Sequence, residues 1–87
     1  MEVRAPEDLY PMVEDLIVRL RRDGASRLAA ILDHRMHKVA WTSASELLEE
    51  LRTVLGHVDK GTEPMTEQTQ AALARVIAGI DALLGER

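Results

Sequence analysis

Apolar residues in this chain of 87 recur at three- and four-residue steps in four stretches, and each predicts a helix with one apolar face. In "DLYPMVEDLIVRLRRDG" the stripe is Leu9, Met12, Val13, Leu16, Ile17 and Leu20. Asp8 suits the N-cap there, Pro11 falls in a first turn whose N–H groups lack helical partners, and Gly24 suits the left-handed position that ends a helix. "SRLAAILDHRMHKVAW" repeats the pattern through Leu28, Ile31, Leu32, Met36 and Val39, with a Ser26 cap and an end near Ala40. In "SASELLEELRTVLGHV", Ser43 and Glu46 have capping-box spacing ahead of the stripe Leu47, Leu48, Leu51, Val54 and Leu55. The last helix starts from a Thr66 cap and carries Leu73, Val76, Ile77, Ile80, Leu83 and Leu84.

Four amphipathic helices with short connections predict one all-α domain over 1–87, a small antiparallel bundle; a three-helix core with one displaced helix is the alternative. Residues 1–7 are expected to be flexible. The segment 57–65, with Gly61 and Pro64, is expected to be a loop before the last helix.

Composition narrows the picture. The chain is 46% hydrophobic with no Phe, one Trp and one Tyr, so its core must be aliphatic, which favours helices over strands. It has no cysteine, which excludes a disulfide or thiolate-zinc framework. A domain of this size buries roughly 60–65% of its unfolded surface, so a deep cleft within one subunit is not expected. No apolar run approaches the ~18–20 residues of a membrane span, and a soluble, cytoplasmic protein is expected.

Catalysis is not expected either. Phosphate loops, dinucleotide fingerprints and nucleophile elbows are absent, and Ser26, Ser43 and Ser45 lie where helix starts favour hydroxyls. Carboxylate pairs such as Glu46 with Glu50, or Glu14 with Asp15, suit solvated helix faces.

"LDHRMHKVAWTSASE" concentrates the side chains with most chemical scope. His34 and His37, three apart on the second helix, lie off its apolar side and are the weak candidates for a metal pair. A third ligand would have to come from Asp33, His57 or the Glu46/Glu50 flank, and no cofactor is expected. Arg35 falls between Ile31, Leu32 and Val39, so it either extends along the core edge to water or pairs with a carboxylate such as Glu50 or Asp15 at a subunit interface. Trp41 either closes the end of the core or anchors a partner.

Charge is unevenly spread, with a net of −4. From Arg19 to Trp41 six cations stand against two carboxylates, and from Thr42 onward four stand against eight. A basic corner of Arg19, Arg22, Arg27 and Lys38 would suit an acidic protein partner, although helix C-termini attract cations without any partner. Nucleic acid is not expected. A recognition helix beginning at Ala44 would turn Glu46, Glu49 and Glu50 towards phosphates, and the sequence pI is near 5.3.

The fourth helix carries a second series of small residues, Ala71, Ala74, Ala78 and Ala82, and between Gln68 and Leu84 its only charges are Arg75 and Asp81. Gly79 costs about 1 kcal/mol inside a helix, which suggests close approach of another backbone. A homodimer with Ala74 and Ala78 at the contact is therefore expected. The function this predicts is a small non-catalytic helical protein acting through protein–protein contact. A metal- or ligand-binding bundle using His34 and His37 is the alternative.

Overall fold

The computed structural model describes residues 3–58 and 63–85. Four helices run through them: α1 (Pro6–Asp23), α2 (Ser26–His37), α3 (Ala44–Gly56) and α4 (Glu67–Gly85). No strand occurs among the described residues. They pack as a closed ring, α1 against α2 and α4, and α3 against α2 and α4, so no helix is displaced from the bundle. Leu9, Leu16 and Leu20 of α1, Leu32 of α2, Leu51 of α3 and Leu73 and Ile80 of α4 meet in a fully buried aliphatic core. Among the described residues no helix is long and apolar enough to cross a membrane.

Helix α1 begins two residues before the expected Asp8 cap, with Ala5 as N-cap and Pro6 in the first position, where its fixed φ suits the helix. Asp8 serves the cap from inside the helix: its carboxylate accepts the N–H of Arg4 at 3.0 Å and of Ala5 at 3.2 Å. Val3 packs against the core, while Met1 and Glu2 lie outside the described residues. Pro11 therefore falls in the second turn, within a continuous helix. Its ring deprives the Glu7 carbonyl of a donor, and both residues are exposed to water, which can supply one.

Gly24 ends α1 at φ +93, as its position in the sequence predicts. Its N–H donates to Arg21 O at 3.2 Å and the N–H of Ala25 to Leu20 O at 2.8 Å, a closure available only to a residue that adopts the left-handed region. Ala25, buried, is at once the end of this turn and the N-cap of α2, so Ser26 is the first helical residue and the expected Ser26 cap is not formed.

The N-terminus of α4 is held by Thr66, whose hydroxyl accepts the N–H of Thr69 at 3.2 Å. The N–H of Thr66 in turn donates to the carboxylate of Asp23 at 3.0 Å. Asp23, the last residue of α1, thereby joins two helix ends, and its side chain is only 5% exposed. The hydroxyl of Thr69, then the N–H and hydroxyl of Thr66 and the nearby Arg22, hold its carboxyl below the usual carboxylate value of 3.8 against the opposing effect of burial.

Gly79 does mark a close approach, but by side chains of the same chain and not by another backbone. A Cβ there would lie 2.9 Å from Leu9 Cδ1 and 3.3 Å from Val3 Cγ2. The glycine is buried beneath the N-terminal segment and α1, so it gives no support to a contact between subunits.

Candidate functional site

The residues of "LDHRMHKVAWTSASE" come together around the end of α2, and the cause is Trp41. In a helix continuing to Ala40 the carbonyl of Arg35 would bond the N–H of Val39; instead it accepts the indole N–H of Trp41 at 2.7 Å. The helix stops at His37 and the chain turns into α3. Ser43 then caps α3, its hydroxyl accepting the N–H of Glu46 at 3.3 Å. Only half of the expected reciprocal box forms, because the Glu46 carboxylate takes the Thr42 hydroxyl.

This turn forms one wall of a surface groove of about 580 Å³. Its other wall is α1, through Tyr10 and Glu14; Met36, His37, Trp41, Thr42, Ser43, Ala44 and Leu47 complete the lining. The only tryptophan and the only tyrosine of the chain thus lie in one groove. Glu14 is the single carboxylate in the lining, and its Oε1 lies 2.6 Å from His37 Nε2. An ionised carboxylate only accepts, so Nε2–H is the donor. Both side chains are about half exposed, so the pair is a surface contact of small energy.

The two candidate metal ligands diverge. His37 turns to Glu14 on α1, with Asp33 at 3.7 Å, whereas His34 Nδ1 lies 3.0 Å from Arg35 Nη1. Guanidinium only donates, so His34 Nδ1 is committed as an acceptor. Among the described residues no three His, Asp or Glu side chains come together as a metal-ligand set.

Arg35 combines both expected behaviours inside one chain. It is partly exposed at the core edge, and its Nε reaches Glu50 Oε1 on α3 at 3.1 Å, so the carboxylate named as an intersubunit partner is an intramolecular one.

The basic corner does not assemble. Arg19 pairs with Asp15 at 2.7 Å and lines a groove on the α1–α4 side with Arg75. Arg27 lines a different groove, between α2 and α3, with Arg35 and His57. Arg22 lies 3.6 Å from Asp23 at the end of α1, and Lys38 sits at the far end of α2 from Arg27, about 16 Å along the axis at 1.5 Å per residue. Arg19 and Arg22 share a face of α1, whereas Arg27 lines another groove and Lys38 stands at the opposite end of α2, so the four cations do not form one cluster.

On α4 the expected small-residue series is on the surface: Ala71, Ala74, Ala78 and Ala82 are all exposed, with Arg75 beside them and Asp81 held at 2.8 Å by Arg52 of α3.

No protein-family model, curated protein or solved structure matches the chain.

Proposed function

We propose that the protein is a non-catalytic helical module that binds another protein through the groove between α1 and the α2–α3 turn. The observation that carries this is the meeting of Tyr10 and Trp41, from opposite ends of the first half of the chain, in one open groove with Met36 and Leu47. Aromatic and methionine side chains are the ones enriched at recognition surfaces, because they supply contact area while losing few rotamers or adapting their shape. The indole bond to Arg35 fixes Trp41 before any partner arrives, which reduces the ordering cost of binding.

The test is comparative co-purification from the native host. Proteins enriched with the tagged chain are expected to be lost with Met36→Lys, which puts a positive charge into the groove, and kept with Ala78→Lys on α4. Partners indifferent to Met36→Lys would overturn the groove as the recognition site.

Self-association through α4 is the second reading, favoured by the exposure of its four alanines. From Ala71 to Ala82 the face is about 16 Å long and a helix is about 10 Å wide, far short of the ~800 Å² per partner of a standard stable interface. A dimer on this face would have to recruit flanking residues such as Arg75. Sedimentation velocity at tens of micromolar tests it: a dimer converted to monomer by Ala74→Glu or Ala78→Glu supports the contact, and a monomeric unmodified chain overturns it.

A further inference from the structure

We infer that the groove takes a cationic side chain, a lysine or arginine set within an apolar segment of the partner protein. This rests on the groove being the recognition site and adds the chemistry of its occupant. Glu14 is the one carboxylate in the lining, and it stands with Tyr10 and Trp41, whose ring faces attract cations through their quadrupoles. A carboxylate beside electron-rich rings is an environment that an ammonium or guanidinium fills and an anion does not. Met36 and Leu47 give apolar neighbours for flanking side chains of the partner, which a small free amine would leave uncovered.

The positive end of α3 opens on the same groove and would by itself favour an anion. It is already compensated: the Ser43 hydroxyl accepts the N–H of Glu46, and Glu46 places its own carboxylate in the first turn. The net charge of −4 also draws a basic partner and repels an acidic one.

His37 then has a definite part. Its Nε2–H holds Glu14 at 2.6 Å in the free protein, so the incoming cation displaces an internal donor. Removing the imidazole should strengthen binding, while removing the carboxylate should weaken it. A role confined to holding α1 against α2 would not give opposite signs.

Trp41 is the only tryptophan, so its emission reports the groove directly. The full chain is titrated with three probes, the acetylated and amidated peptides Leu-Arg-Leu-Lys-Leu, Leu-Gln-Leu-Gln-Leu and Leu-Glu-Leu-Glu-Leu. The basic peptide is expected to give a saturating change, with the neutral peptide at least tenfold weaker and the acidic one weaker still. Glu14→Gln should bring the basic peptide to the affinity of the neutral one, and His37→Ala, which leaves Glu14 without its internal donor, should tighten it, with folding of both variants checked by circular dichroism. Equal binding of neutral and basic peptides at Trp41 would overturn the cation assignment while leaving an apolar recognition groove. A Glu14→Gln variant that binds the basic peptide normally would overturn it too. No response to any peptide would overturn the groove itself.

Discussion

The indole N–H of Trp41 donates to the main-chain carbonyl of Arg35 at 2.7 Å, six residues back along the chain. One side chain thereby ends α2, satisfies a carbonyl that the helix has abandoned, and fixes an aromatic wall of the groove. Trp41→Phe keeps an aromatic ring but removes the donor together with the five-membered part of the indole. It should cost at least about 1 kcal/mol, the net worth of one such hydrogen bond plus some lost packing, with Trp41→Ala costing more. Urea denaturation followed by circular dichroism measures both; an unchanged midpoint for Trp41→Phe would show that the carbonyl finds water at no cost.

Ser43→Ala should lower stability by about 1 kcal/mol, since it leaves the N–H of Glu46 without its capping hydroxyl. Glu46→Ala should cost less. The two losses should add to within about 0.5 kcal/mol, because the bond from Ser43 goes to the backbone of residue 46 and survives loss of its side chain. Coupling should appear instead between Thr42→Val and Glu46→Ala, the pair whose side chains do bond. A double-mutant cycle on each pair separates these outcomes.

Asp23 contributes to the acid limb of the stability curve. Its carboxyl is held below the usual 3.8 in the folded protein by Thr69 and Thr66, so the unfolded chain binds the proton first as pH falls. The stabilisation is therefore fully present above the unfolded value and is lost as pH drops through the lower, folded one. Asp23→Asn should flatten the decline in stability below about pH 4, and Thr69→Val should do so in part. Denaturation midpoints recorded from pH 7 down to pH 2 check the sign: a decline as steep in Asp23→Asn as in the unmodified chain would assign it to other carboxylates.

Gly79 and Ala78 are adjacent, yet substitution should separate them sharply. Leucine at 79 has to displace the fully buried Leu9 and the nearby Val3, an overpacking cost of about 1–3 kcal/mol. At exposed Ala78 the same change should stay within about 0.5 kcal/mol. Thermal midpoints of Gly79→Leu and Ala78→Leu compare the two; similar losses would mean that both face the same environment.

Periodicity made the helices legible, because each apolar stripe has one energetic solution, burial against the others. Gly24, Ser43 and Thr66 were legible for a related reason: a left-handed turn or an orphan N–H restricts the residue that can stand there. What the sequence concealed depends on distance in space. Asp23 reaches across to Thr66, 43 residues on, and nothing local marks it, since an acidic residue at a helix end is ordinary. Asp8 is legible as a cap, but the helix starts earlier at Pro6, so it serves from the third helical position. At Gly79 a close approach is legible but its source is not: side chains of Leu9 and Val3, not another backbone, take the space, because a missing side chain does not say whose atoms fill its place. The groove was half visible: the cluster around Trp41 stood out, but Tyr10 and Glu14 join it only through the packing of α1 against α2.

The most direct measurement of the central claim is a map of amide and side-chain chemical shifts as the full chain is titrated with the acetylated and amidated peptide Leu-Arg-Leu-Lys-Leu. The largest changes should fall on Tyr10, Glu14, Met36, the Trp41 indole N–H, Ser43 and Leu47, the residues that line the groove, with Ala71 to Ala82 of α4 unmoved. Changes centred on the alanines of α4, or on Arg27, Ile31 and His57 between α2 and α3, would contradict the groove as the site of recognition.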